Sequence, residues 1–264
     1  MTLPLTIAAA TPQLAPRLAG TLATLPVSFR AAETGAAAMA VLVGGDDAWA
    51  LRAAQAIDAG ARVVIVADPG MCDPDTILAL ADRADQTGAV VEFAERYAGD
   101  PTLLRHQAEL VQHLIATATI LISQVGNVAD APGAALDMVR TVRALGQALC
   151  VTHCWDAAHA VVVRGMVGDK LFEGIATAAK AGQGQRIDAL GFGRTVRIAL
   201  RGDGSARPSD VRIANARGER KLPQVFESAD RAAWQRALQA VRGGAADSGA
   251  LRQFAADVAM IRAL

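Results

Sequence analysis

The chain is predicted to combine an α/β domain with an α+β domain. Residues 1–116 read as a truncated parallel sheet, and residues 117–264 as a mainly antiparallel open sheet with one inserted helix. Three observations predict this. Between Ala40 and Pro101, short apolar runs alternate with helical patterns, as parallel strand–helix–strand units require. After Thr117, longer strand patterns follow one another across glycine-rich turns at Gly182, Gly184, Gly191, Gly193, Gly202 and Gly204, which favours antiparallel pairing. At 264 residues the chain is long enough for one or two domains and a sizeable core.

Taken in order, Leu5 to Ala10 is a short strand, and Thr11 then caps a helix with Pro12 at its first position and Leu14, Leu18, Leu22 and Leu25 on one face. Pro26 ends that helix and Val27 to Arg30 forms a second strand, a β-α-β opening of Rossmann-like type. Only Ala31 to Ala38 remain before the next strand, Met39 to Val43. If both strands flank the first, this link must descend about 16 Å and cross about 10 Å, against a reach of roughly 26 Å, so the connection is taut. Asp46 and Asp47 cap a helix from about Ala48 to Ala59, with Gly60 after its end. A strand at Arg62 to Val66, a helix from Asp73-Pro74 to Gln86, a strand at Ala89 to Phe93 and a helix from Pro101 to Ile115 complete the first part. The second part reads as strands at 117–125, 149–155, 159–167, 171–177, 187–190, 195–200 and 211–216. One helix, Gly133 to Leu145, lies between the first two, and helices Ser228 to Arg242 and Ser248 to Ala263 close the chain.

Composition narrows the function. Hydrophobic residues make up 52% and charged residues 20%, with no apolar run long enough to span a bilayer. With 26 basic and 26 acidic residues, no global field draws nucleic acid or a membrane surface. Met1 to Ala10 has no basic leader region, and three cysteines, Cys72, Cys150 and Cys154, suit a reducing cytoplasm. Cys150, His153, Cys154 and His159 lie in strand patterns with no loop to close on zinc, so no metal is expected.

Several stretches resemble the glucose-fructose oxidoreductase and inositol dehydrogenase (Gfo/Idh/MocA) family. Ala59-Gly60 leads into a valine-rich strand and Pro69; Arg96 and Pro101 follow the last strand of the first part; Gly133-Ala-Ala-Leu-Asp137 is similar to the family's Gly-Gly-x-Leu-x-Asp helix start; and Phe226 to Val241 is similar to its late amphipathic helix. The resemblance implies a Rossmann-like domain followed by an open sheet, NAD(P) as cofactor for any active member, and assembly of the sheet with another copy or a catalytic relative.

The family's chemistry is less evident. Its first strand runs into Gly-x-Gly-x-x-Gly/Ala, whose glycines let amides approach a pyrophosphate. The matching Ala8 to Leu14 has no glycine, and Pro12 removes a donor. Glu33 is the one candidate for an acidic residue on the adenosine ribose. The family's Glu-Lys-Pro triplet, whose lysine polarises the reacting hydroxyl or carbonyl, is Ala67-Asp68-Pro69 here, and an ionised aspartate only accepts hydrogen bonds. Its histidine, four residues after the helix aspartate, corresponds to Thr141, and the aspartate one turn later to Ala144.

Three readings follow. The first is a cofactor-free binding, regulatory or partner subunit that assembles with itself or a catalytic homologue through the second sheet. The second is a divergent NAD(P)-dependent oxidoreductase acting on a sugar, polyol or small aldehyde. In that case Thr11, Gly44, Gly45 and Asp46 bind the cofactor at the strand ends, and Asp68 and Thr141 are the catalytic candidates. The third is a non-redox enzyme that uses Asp46, Asp47, Asp68 and Asp73 as converging carboxylates. Glu95, Arg96, Tyr97 and Asp137 are the expected substrate-cleft residues.

Overall fold

A computed structural model of the chain describes residues 5–25, 29–31, 39–126, 131–146, 148–157, 159–178, 183–202, 205–244 and 247–264. Its helices are α1 (Ala15–Leu22), α2 (Trp49–Asp58), α3 (Pro74–Thr87), α4 (Pro101–Arg105), α5 (Gln107–Leu114), α6 (Ala131–Ala144), α7 (Ala229–Gly243) and α8 (Gly249–Arg262). The chain divides into two compact units, Met1–Glu95 with Asp230–Val258, and Arg96–Ala229 with Ala259–Leu264. The boundary expected at 116/117 follows the change of sequence pattern. The compact units instead take α4 and α5 with the second sheet and most of the two closing helices with the first.

In the first unit, strands β1 (Leu5–Ala9), β2 (Phe29–Ala31), β3 (Ala40–Gly44), β4 (Val63–Ala67) and β5 (Val90–Ala94) form a parallel sheet in the order β2-β1-β3-β4-β5. β4 is buried along its whole length, which is why it reads as an unbroken apolar run. One face of the sheet packs Ile7, Leu42, Val63, Ile65 and Val90 against Ala233, Trp234 and Ala237 of α7. Behind the sheet, Trp49, Phe93 and Phe254 meet at ring-centroid distances of 4.8–5.6 Å. Asp73 caps α3 by accepting from the Thr76 amide at 3.0 Å, and Gly88 ends that helix at φ 67°, a left-handed conformation that suits glycine. Residues 26–28 and 32–38, which hold part of the expected second strand, the taut link and Glu33, lie outside the described residues.

In the second unit, strands β6 (Thr119–Gly126), β7 (Leu149–Ala157), β8 (Ala160–Val167), β9 (Lys170–Ala178), β10 (Gly184–Gly191), β11 (Arg194–Arg201), β12 (Asp210–Asn215) and β13 (Gly218–Lys221) form one sheet. Its order is β13-β12-β11-β10-β6-β9-β8-β7, antiparallel except for the β6–β9 pair. α6 is the inserted helix, packed on β7, β8 and β9. The alternating burial of β6 and β9 is that of a sheet covered on one face and open on the other. Two expectations are corrected. The helix expected over Pro101–Ile115 breaks at His106, whose backbone leaves helical geometry at φ −103°, ψ 8° while its Nε2 meets the Pro223 carbonyl at 2.8 Å. β13 is an added edge strand, exposed at every residue, so no apolar alternation announced it.

Trp234 is fully buried although it enters the first unit's core from near the chain's end. Trp234→Ala is expected to lower stability by about 3–5 kcal/mol, read as a shift of the urea midpoint.

Candidate functional site

The carboxyl ends of β1, β3 and β4 are where a ligand of a doubly wound sheet would bind, since the strand order reverses at β1. The chain's own groups occupy the β3 and β4 side of that place, while a cavity of about 430 Å³ lies open beside the end of β1, lined by Ala9, Thr11, Pro12, Ala15 and Leu18 among others. After β1 comes a 3-10 turn, Pro12–Leu14, that runs directly into α1. The Ala10 amide donates to the Leu42 carbonyl at 2.8 Å, the Leu14 amide to Thr11 at 3.1 Å and the Ala15 amide to Pro12, while Pro12 has no N–H. The Thr11 side chain makes no capping bond. Leu14 lies over the end of β3, its Cδ1 3.6 Å from where a Cβ on Gly44 would stand. A pyrophosphate needs consecutive inward amides and room for backbone approach. There is space beside the turn, but with Pro12 lacking an N–H and the Ala10, Leu14 and Ala15 amides bonded within the chain it does not present consecutive inward amides, so the residues do not fit a dinucleotide held in the usual way.

The ends of β3 and β4 also touch each other. The Gly70 amide donates to the Gly45 carbonyl at 2.7 Å, and a Cβ on Gly45 would stand 1.9 Å from the Asp68 carbonyl oxygen, so only glycine fits. Asp68 sits at φ 46°, the one non-glycine residue at positive φ among those described. Its carboxylate accepts from Arg17 Nη1 at 2.8 Å, and the same guanidinium binds Asp230 through Nε at 2.7 Å and Nη2 at 2.5 Å. Burial works against the Arg17 charge, but the hydrogen bonds and attraction of Asp230 and Asp68 outweigh it and hold the group above the ordinary arginine range.

The remaining carboxylates of this end are engaged separately. Asp46 accepts from the Ala48 amide at 3.0 Å and from Arg52 at 2.5 Å, and that Arg52 hydrogen bond holds its carboxyl below the usual range. Arg52 also donates to the Gly44 carbonyl at 2.9 Å. Asp73 is the α3 cap, and Asp47 is exposed. No group of three metal-ligating side chains occurs among the described residues.

The candidates in the second unit form a different set. Asp137 is exposed on α6, and Thr141, fully buried, donates its hydroxyl back to the Asp137 carbonyl at 2.8 Å. Gln124 donates to Asp137 Oδ2 at 3.2 Å and accepts from Gln185 at 2.9 Å, an amide chain across β6 and β10 that sequence reading missed. The signal was present: Gln124 and Gln185 occupy positions where alternation calls for apolar residues. Arg96 donates to Gln183 at 2.8 Å, and Tyr97 is buried with its hydroxyl over Gly202. Glu95 is half-buried at the end of the first unit's opening segment.

A parallel sheet with its switch point at β1, followed by an open sheet with one inserted helix, is the two-domain architecture of the Gfo/Idh/MocA dehydrogenases. Solved structures bear this out. UDP-N-acetylglucosamine 3-dehydrogenase from Acidithiobacillus ferrooxidans is similar at TM-score 0.73 and 14% identity, covering 100% of this chain and 98% of that one. A 3-ketoreductase from Actinomadura kijaniata, solved with NADP, is similar at TM-score 0.73 and 12% identity, covering 99% and 96%. A dehydrogenase from Chromobacterium violaceum is similar at TM-score 0.70 and 12% identity, covering 99% and 95%. The sequence matches no protein-family model and no curated protein. The likeness is one of fold, and no helix among the described residues is long and apolar enough to cross a membrane.

Adjacent glycines should respond oppositely to substitution. Gly45→Ala is expected to cost about 3 kcal/mol or more because its Cβ meets backbone. Gly44→Ala gains only ordinary contact with Leu14 and should change stability by less than about 0.5 kcal/mol. Urea midpoints of the two variants check this.

Proposed function

We propose that this chain uses the dehydrogenase fold as a binding, regulatory or partner subunit, cytoplasmic and without a nucleotide cofactor, that assembles through the open face of its second sheet. The observation that carries the reading is the turn after β1, whose Ala10, Leu14 and Ala15 amides are bonded within the chain and whose Pro12 has no N–H, with Leu14 over Gly44 and the Gly45–Gly70 contact beside it. The chemistry agrees with this. Asp68, paired with Arg17, stands in the triplet position of the lysine, and the Thr141 hydroxyl, bonded within its own helix, stands in the position of the proton-transferring histidine. Neither is the lysine or imidazole type of group that the family's proton transfer uses.

A second reading is a divergent NAD(P)-dependent oxidoreductase acting on a sugar, polyol or small aldehyde. It is favoured by one observation, that a structure sharing this fold over nearly its whole length is solved with NADP. In that reading the cavity of about 430 Å³ beside the end of β1, which Thr11 lines, is the place for the nucleotide.

Calorimetric titration with NAD+, NADH, NADP+ and NADPH separates the two. The partner-subunit reading predicts no binding tighter than about 1 mM, equivalent to a standard free energy of about −4.1 kcal/mol. Micromolar binding of any of the four would overturn it and return Thr11, Gly44 and Gly45 to the list of cofactor ligands.

A further inference from the structure

On the open face of the second sheet one cross-strand row of side chains loses its balance of charge. It begins on β8 with Arg164, Glu173, Leu121 and Asp188, where Arg164 is bonded to Glu173 at 2.5 Å. It continues over β11, β12 and β13 as Arg197, Arg212 and Lys221, three cations in directly opposed positions about 5 Å apart. Like charges opposite one another across a sheet repel, and an anion placed over them relieves the repulsion. The cations gather round a small residue. Ala199 lies on β11 between Arg197 and Arg201, its neighbours on the exposed face, and in register with Arg186 on β10 and Asp210 on β12. There the surface sinks into a depression of about 230 Å³ lined by Arg186, Arg197, Ala199, Asp210 and Arg212.

The acids of this patch are already engaged. Asp188 accepts from Arg186 Nε at 2.7 Å and Nη2 at 3.1 Å and lies 3.4 Å from Arg197. Asp210 accepts from Arg212 Nε at 2.7 Å and lies 2.9 Å from Lys221 Nζ, and Lys221 and Arg212 hold its carboxyl below the usual range. Glu219 accepts from Arg212 Nη1 at 3.1 Å. On this face of β10 to β13 the three acids stand among five cations, Arg186, Arg197, Arg201, Arg212 and Lys221, so two positive charges are in excess. A guanidinium has about five N–H donors, and the bonds to the acids use only some of them.

The geometry points to the depression over Ala199 as a binding site for a phosphoryl dianion, free or carried on a small molecule. The two excess charges match a doubly charged oxyanion, and guanidinium forks match its oxygens. The methyl group of Ala199 as the floor leaves the room that a longer side chain would fill. β10 to β13 carry no aromatic residue on which bases could stack, and so short a run of excess charge does not track a nucleic-acid backbone, so the ligand is small. The inference goes beyond the partner-subunit reading and does not rest on it. The large exposed apolar side chains Trp155, Met166, Leu171 and Ile175 are on β7, β8 and β9, away from the depression.

The test is a titration of the full chain with sodium phosphate, followed by backbone-assigned proton–nitrogen NMR at about pH 8, where the dianion prevails, beside sodium chloride at matched ionic strength. Saturable shifts centred on Arg197, Ala199 and Arg212 are expected, half-maximal at low millimolar phosphate and absent with chloride. Arg197→Gln removes a charge and Ala199→Leu fills the depression, and each should weaken binding at least about tenfold. Arg164→Gln, on the same face but on β8, should leave it within about twofold of wild type. Glucose 6-phosphate separates the sources. Shifts at the same residues as strong as those from phosphate make the ligand a phosphorylated small molecule, and shifts from phosphate alone make it the free ion. No saturable shift up to about 20 mM phosphate, equal shifts from chloride, or shifts undiminished in both Arg197→Gln and Ala199→Leu overturn the site. Such a failure leaves the partner-subunit reading standing, because that reading turns on the first unit.

Discussion

The first unit is organised by one guanidinium. Arg17, on α1, reaches Asp68 at the end of β4 and Asp230 at the start of α7, and so ties together three segments that are distant in sequence. Partly exposed ion pairs add little stability one by one, but this one decides where groups stand. It accompanies a left-handed Asp68, the Asp68 carbonyl lies against Gly45, and the strand ends close on each other through the Gly70 amide. On this side of the crevice the backbone groups are paired with one another and are not arranged as a row of amides facing an anion.

Most of the fold was legible in the sequence because it rests on local patterns. The apolar runs of β3, β4 and β5, the Asp73 cap and the glycine at the end of α3 each state their structure within a few residues. The alternating strands of the second sheet do the same, and the inserted helix is announced by Gly133 to Asp137. The parts that were not legible depend on partners far away. His106 breaks a helix that periodicity continues, where its ring meets the carbonyl of Pro223. β13 is a polar edge strand defined only by pairing with β12.

The candidate site was legible in its losses and not in its replacements. The absence of glycine from Ala8 to Leu14 and the presence of Asp68 and Thr141 can be read directly from the chain. That Arg17 would claim Asp68 could not be read, because Arg17 lies 51 residues from Asp68 and 213 from Asp230. The Asp137–Gln124–Gln185 chain was likewise hidden: a glutamine in an alternating strand announces that the buried face is polar there, without saying what it binds. In the second sheet the rows on the open face became visible only once the register between strands was known, since sequence alone does not say that Arg164, Glu173, Leu121 and Asp188 share a line.

The central claim is that the strand ends of the first unit are occupied by the chain itself. A crystal structure of the protein grown with 5 mM NADP+, about a hundredfold above a Kd of about 50 μM, tests this most directly. The account predicts Leu14 against Gly44, Arg17 bonded to Asp68 and Asp230, and no dinucleotide at the end of β1. A bound dinucleotide there, with Leu14 displaced and the turn amides on its pyrophosphate, would contradict it.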